Sequence, residues 1–232
     1  MTNPRKTIAT AVGVFFILIL LAPLPAITVY IDLILLQNDV GETSLTEFVQ
    51  EIMLLLSSSI FFYGAWRHPD KRGFLLLASG LFLSMFIREL DYLFDRITHG
   101  FWVYPASLTA LTCILVARFF CRGTTLQPLA RFINTRPYLF ILIGLITLLA
   151  FSRTFGSSSL LWSHVFPQEV APGFKAAIQE GPELYGYGLI LFGSFLMFLG
   201  GYETRKQIAP SSQKMEDDAV STLTLSPADG AC

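Results

Sequence analysis

TIATAVGVFFILILLAPLPAITVYIDLILL, residues 7–36, carries a single charged side chain, Asp32. A bilayer core about 30 Å thick is crossed by about 20 apolar residues in helix. The run is continuous, without the period-2 alternation of a barrel strand, so it reads as a membrane helix. Arg5 and Lys6 precede it, as in a signal peptide, but the apolar character continues through Pro23 and Pro25 to Leu36 and no small-x-small site closes it. The expectation is a retained helix, kinked near Pro23–Pro25 because each proline removes a backbone donor.

Five further stretches repeat the pattern: residues 45–66, 73–96, 102–120, 137–155 and 182–202. The whole chain agrees, with 53% hydrophobic and 14% charged residues and 21 Phe in 232 positions. A soluble domain carries about a quarter charged residues. The composition therefore excludes disorder, a basic nucleic-acid surface and an ordinary soluble enzyme. Cys113, Cys121 and Cys232 have no paired or metal-ligand spacing, and no cofactor fingerprint is present. With both termini inside, cytoplasmic segments hold twelve basic residues and outer segments four, namely Arg88, Arg96, Arg153 and Lys175. The sequence thus predicts an all-α polytopic membrane protein: six transmembrane helices, N-in and C-in, in residues 1–207. A Ser-, Thr-, Asp- and Ala-rich cytoplasmic tail follows over 208–232. Short loops suggest a bacterial cytoplasmic membrane. No repeat relates the first three spans to the last three, so an inverted-repeat transporter is not implied.

The acidic residues sort oppositely. Eleven of seventeen fall at outer span ends or in outer loops: Asp32, Asp39, Glu42, Glu47, Glu51, Glu89, Asp91, Asp95, Glu169, Glu180 and Glu183. Counting at about 1.5 Å per residue from the inner arginines places Glu51, Arg88 and Arg153 at one depth, about 24–26 Å from the inner edge. Glu183 lies close to the outer boundary. A charge at mid-membrane costs about 2.5–3.5 kcal/mol, which pairing inside the bundle relieves. Residues three, four and seven apart share a helix face. That puts Glu47 and Glu51 together on helix two, Ser84, Arg88, Asp91 and Asp95 on helix three, and Glu180, Glu183, Tyr187 and Ser194 on helix six. The expectation is one polar cluster under the outer surface, formed by Glu51, Arg88, Glu89, Asp91, Arg153, Glu180, Glu183 and Tyr187.

Structural roles compete for several of these residues. Ser44-Leu45-Thr46-Glu47 is a capping box, which accounts for Glu47. Asp91, Asp95 and Arg96 suit a fraying helix end, and Arg88 and Arg153 have stems long enough to snorkel. A Glu51–Arg88 pair that fixes helix packing takes precedence over catalysis. Pro182 reads as the first turn of span six, with Glu183 complementing the helix dipole, or else as a break lining a cavity. Gly186, Gly193 and Gly200 form a packing seam. Trp66, Trp102, Tyr104 and Trp162 are interface anchors, and residues 160–166 form a loop resting on the membrane.

Three functions use such a cluster. Glu51, Ser57, Ser58, Ser59 and Phe61 with Asp91 show a distant resemblance, over two helices, to the ceramidase-like membrane hydrolases. That resemblance implies a histidine pair, and His68, His99 and His164 supply none, so a zinc-activated water has no home. No catalytic residue, metal or cofactor is therefore assigned. A proton- or solute-coupled small transporter, or a subunit of one, is the alternative, opposed by inner halves that are almost wholly apolar. The leading expectation is a binding module for an anionic lipid headgroup, a small solute or a partner segment, with Arg88 and Arg153 as bidentate donors. Beyond these the expected partner is the bilayer itself.

Overall fold

A computed structural model describes residues 4–37, 44–152, 154 and 171–200. Among them every regular element is helical and no strand occurs. The elements are α1 (Pro4–Leu21), α2 (Leu24–Tyr30), α3 (Leu45–Arg67), α4 (Arg72–Glu89), α5 (Asp91–Phe94), α6 (Val103–Phe119), α7 (Leu126–Ile133), α8 (Arg136–Ile146) and α9 (Ala171–Gly200). Two π-helical segments extend them: Ile31–Leu35 follows α2, and Thr147–Ser152 follows α8. Arg153, the whole of the expected 160–166 surface loop with Trp162, and the 208–232 tail lie outside the described residues.

The first apolar run breaks at Ala22–Pro23, where two prolines interrupt the backbone ladder, and resumes as α2. Helix α3 starts at Ser44, whose extended backbone (φ −77°, ψ 158°) lets its Oγ accept from Glu47 N at 3.2 Å. This is the expected cap. Helix α4 ends at Glu89, seven residues before the expected end of the third span at Arg96. Beyond it the Asp95 carboxylate accepts from Gly100 N at 2.8 Å and pairs with His99 Nδ1 at 2.6 Å, and Gly100 takes φ +79°. These local bonds compete with helix continuation. Asp91 and Asp95 therefore leave the helical face of Arg88. Helix α9 runs unbroken through Pro182. Proline is thus neither at a first turn nor at a visible break, and the Ile178 carbonyl has no amide from residue 182 to accept.

Among the described residues, three helical stretches are long and apolar enough to cross a membrane: Thr7–Leu35, Leu45–Arg67 and Ile178–Gly200. A fourth is added if α7 and the Arg136–Phe151 helix, bent by 87° at their junction, count as one span. This is fewer than the six expected. Helix α6, at 17 residues, falls just short, and α4 spends Arg72, Arg88 and Glu89 of its 18 residues on charge.

Helix α3 packs on α4 and α9, α4 on α6, and α9 on α8. Its interior at the Arg67 end is aromatic. Phe61 meets Phe74, Phe82 and Phe132 at centroid distances of 6.4, 5.4 and 6.4 Å. Midway, Ser58 and Ser79 clasp α3 to α4, each hydroxyl bonding the other's carbonyl at 3.0 Å. Small residues let α8 and α9 touch: a Cβ at Gly144 would lie 2.6 Å from Gly186 O, and one at Gly193 would lie 2.8 Å from Pro137 O. Gly200, placed in the same seam by its spacing, faces open space. At the opposite end, which carries Glu89, the bundle turns polar.

Candidate functional site

Three helices bring their polar residues together at the Glu89 end. Glu89 closes α4, where helix carbonyls lack partners and a negative charge is disfavoured. The structure compensates on a single oxygen. Glu89 Oε1 accepts from Arg88 Nη2 at 2.6 Å, from Arg88 Nε at 3.2 Å and from Tyr187 Oη at 2.7 Å. Tyr187 stands on α9 and is 1% exposed, so this phenol ties α9 to the end of α4.

Two turns toward the start of α9, Glu180 meets α3. Gln50 Nε2 donates to Glu180 Oε2 at 3.0 Å and to Glu180 O at 3.3 Å. Gln50 is completely buried, and among the described residues no donor reaches its Oε1. Between these two anchors lies Glu183, 5% exposed, close enough to interact electrostatically with Arg88 and Glu180. Glu51, half-buried on α3, is within the field of Glu89. The arginine is the open edge of the cluster, with 32% of its side chain exposed against 13% for Glu89.

The arrangement therefore joins Arg88, Glu89 and Tyr187 by direct bonds, Glu180 through Gln50, and Glu51 and Glu183 by proximity. Asp91 opens the short α5, beyond the end of α4. Arg153 lies outside the described residues. Arg88 pairs with its neighbour Glu89, not with Glu51, because the buried face of α3 is set by Thr46, Gln50, Met53, Leu54, Ser57, Ser58 and Phe61. Glu47 and Glu51 sit at the border of that face. Nε and Nη2 both serve Glu89, so Arg88 turns one edge of its guanidinium to its neighbouring carboxylate.

Two residues that organise this end escaped the sequence reading. Gln50 is the first; its spacing from Thr46, Met53 and Ser57 marks the buried face. Asp32 is the second. It lies in the π-helical segment after α2, is fully buried, and caps α3. Its Oδ1 accepts from Leu45 N at 2.7 Å, and its Oδ2 accepts from Thr46 N at 2.9 Å and Thr46 Oγ1 at 2.6 Å. A carboxylate at a helix N-terminus satisfies orphan amides and complements the dipole. The signal was available: one carboxylate in a thirty-residue apolar run requires a partner.

In charge, the cluster holds four carboxylates (Glu51, Glu89, Glu180 and Glu183) and one guanidinium among the described residues. It contains no group of three or more His, Cys, Asp or Glu placed to hold a metal ion, again among the described residues. Ser57 and Ser59 donate to the carbonyls of Met53 and Leu55, each at 2.7 Å, and so serve the helix rather than a nucleophilic site. No protein-family model, curated protein or solved structure matches the chain.

Proposed function

We propose that the chain is a multi-pass membrane protein whose polar cluster is a binding site for a small organic cation bearing N–H donors, an ammonium or guanidinium group, taken up in exchange for protons. The observation that carries this reading is the charge balance of the cluster: among the described residues, four carboxylates gather about one arginine, whose Nε and Nη2 already serve Glu89. In a low-dielectric site such an excess is relieved by protons or by a bound cation. Gln50 Oε1 adds a neutral, buried acceptor beside Glu180, suited to an N–H donor. Adding Arg153 to the count would still leave carboxylates in the majority.

The same reading places the cluster at the outer side of a cytoplasmic membrane, with six spans and both termini inside. The distribution of arginine and lysine supports that orientation. Helices α4 and α6 would be the two spans that fall below the apolar threshold, α4 because its charges sit at its ends and α6 by one residue. Below the cluster, the packed rings of Phe61, Phe74, Phe82 and Phe132 oppose a continuous path, so binding is favoured over transport.

The test is thermal unfolding of the purified chain in detergent at fixed ionic strength, with methylammonium or tetramethylammonium as the probe. Methylammonium, which has N–H donors, should raise the midpoint saturably, and tetramethylammonium should not. The E180Q/E183Q variant should lose the response. Equal responses to both cations, or an undiminished response in the variant, would contradict the proposal.

A further inference from the structure

At the opposite end of the bundle a groove of about 280 Å³ opens where α3 ends and α9 passes it. Its floor and walls are apolar: Leu75 and Met197 are buried there, and Ile60 and Phe198 flank them. Tyr63 and Phe198 meet edge-on at 5.9 Å and join the two helices along one side. Gly64 lines the groove without a side chain, and a Cβ there would sit 3.4 Å from Leu75 Cδ1. The rim is basic, formed by Arg67, His68 and Lys71, of which Arg67 and His68 are exposed. The neighbouring Arg72 points elsewhere, its Nε donating to Ala65 O at 3.1 Å as a cap for α3.

We infer that this groove is a binding site for an anionic phospholipid. The rim carries two permanent cations and an imidazole donor, matched to a phosphate headgroup. The walls continue from that rim into the helix-packed interior, where an acyl chain buries apolar surface. Charge complementarity with apolar depth selects a lipid over a soluble anion, and basic pockets between helices at a membrane surface hold headgroups on this principle. The inference rests on the membrane reading of the bundle but not on cation binding at the Glu89 end. Only the assignment to the cytoplasmic leaflet depends on the proposed orientation.

The experiment counts lipids retained by the purified full chain, in native mass spectrometry from micelles doped with phosphatidylglycerol or phosphatidylcholine. Phosphatidylglycerol should be retained preferentially, and R67Q/K71Q should weaken it about fivefold per charge removed. R67K/K71R should keep most of the preference. G64L, which fills the groove, keeps every charge and raises helix propensity, should abolish retention. Neutralising the tail in E216Q/D217N/D218N should change nothing, and glycerol 3-phosphate should not compete. Equal retention of the two lipids, or full retention by G64L, overturns the proposal. Competition by glycerol 3-phosphate would assign the groove to soluble phosphates, and a rise on neutralising the tail would make the tail its occupant; either result also overturns it.

Discussion

Replacing Asp32 by alanine should be among the most damaging single changes in this chain. The carboxylate accepts three hydrogen bonds, from Leu45 N, Thr46 N and Thr46 Oγ1, and it is 0% exposed. Removing it leaves two first-turn amides of α3 without acceptors, at about 1–3 kcal/mol each. It also removes a favourable charge at the positive end of the helix dipole, about 0.3–1 kcal/mol. The Thr46 hydroxyl can rotate toward another acceptor and adds little. The total is about 2–7 kcal/mol for D32A, by summing these terms. D32N keeps one acceptor oxygen and should cost about half as much. T46V loses only the hydroxyl donor and should cost about 1 kcal/mol. The assay is reversible unfolding of the purified chain in mixed micelles, with tryptophan fluorescence as the readout. A D32A cost below about 1 kcal/mol, or a T46V cost equal to that of D32A, would refute the argument that this side chain anchors the start of α3.

Other outcomes follow from single contacts. Y187F removes the 2.7 Å bond to Glu89, and a Y187F/E89Q double-mutant cycle should show a coupling of about 1.5–3 kcal/mol; additive costs would contradict the bond. G193A should destabilise by about 1–3 kcal/mol, because the new Cβ would press on the Pro137 carbonyl at 2.8 Å, whereas G200A should be neutral or stabilising; unfolding midpoints decide. Asp95, beyond the end of α4, is held below its ordinary value of 3.8, first by the Gly100 amide and then by His99. Its contribution to the turn is therefore present above pH 3.8 and is lost as the pH falls through the lowered folded value. The Gly100 amide resonance should hold its folded position below pH 3.8, and a midpoint at or above that value would contradict the hydrogen bonds.

The helical class and the polar end of the bundle were legible in the sequence for a physical reason: hydrocarbon penalises lone charges. Long apolar runs and the ionisable residues within them therefore carry information that propensity alone does not. The face of α9 was legible too, since Glu180, Glu183 and Tyr187 keep helical spacing. Partner choice was not. Arg88 selects Glu89, its neighbour in sequence, because both stand at the end of α4 and Tyr187 approaches the same oxygen, a convergence decided by the packing of α4 against α9. Asp91 and Asp95 fit the helical period, so the sequence extends the third span past the end of α4 at Glu89. The hydrogen bond from Gly100 N to the Asp95 carboxylate, which favours a turn, depends on a glycine outside that period. Gln50 carries no charge, so the penalty that singles out Glu51 does not mark its burial on α3. Asp32 falls among the outer carboxylates by position, although its place alone in an apolar run requires a partner.

The central claim is that the carboxylates around Arg88 exceed what it can neutralise and hold protons until a cation replaces them. Proton release on methylammonium binding measures this directly, by calorimetry of the purified chain in buffers of different ionisation enthalpy. The account predicts that close to one proton leaves per cation bound, that affinity rises with pH, and that both effects vanish in E180Q/E183Q. Binding with no proton release, at an affinity independent of pH, would contradict it.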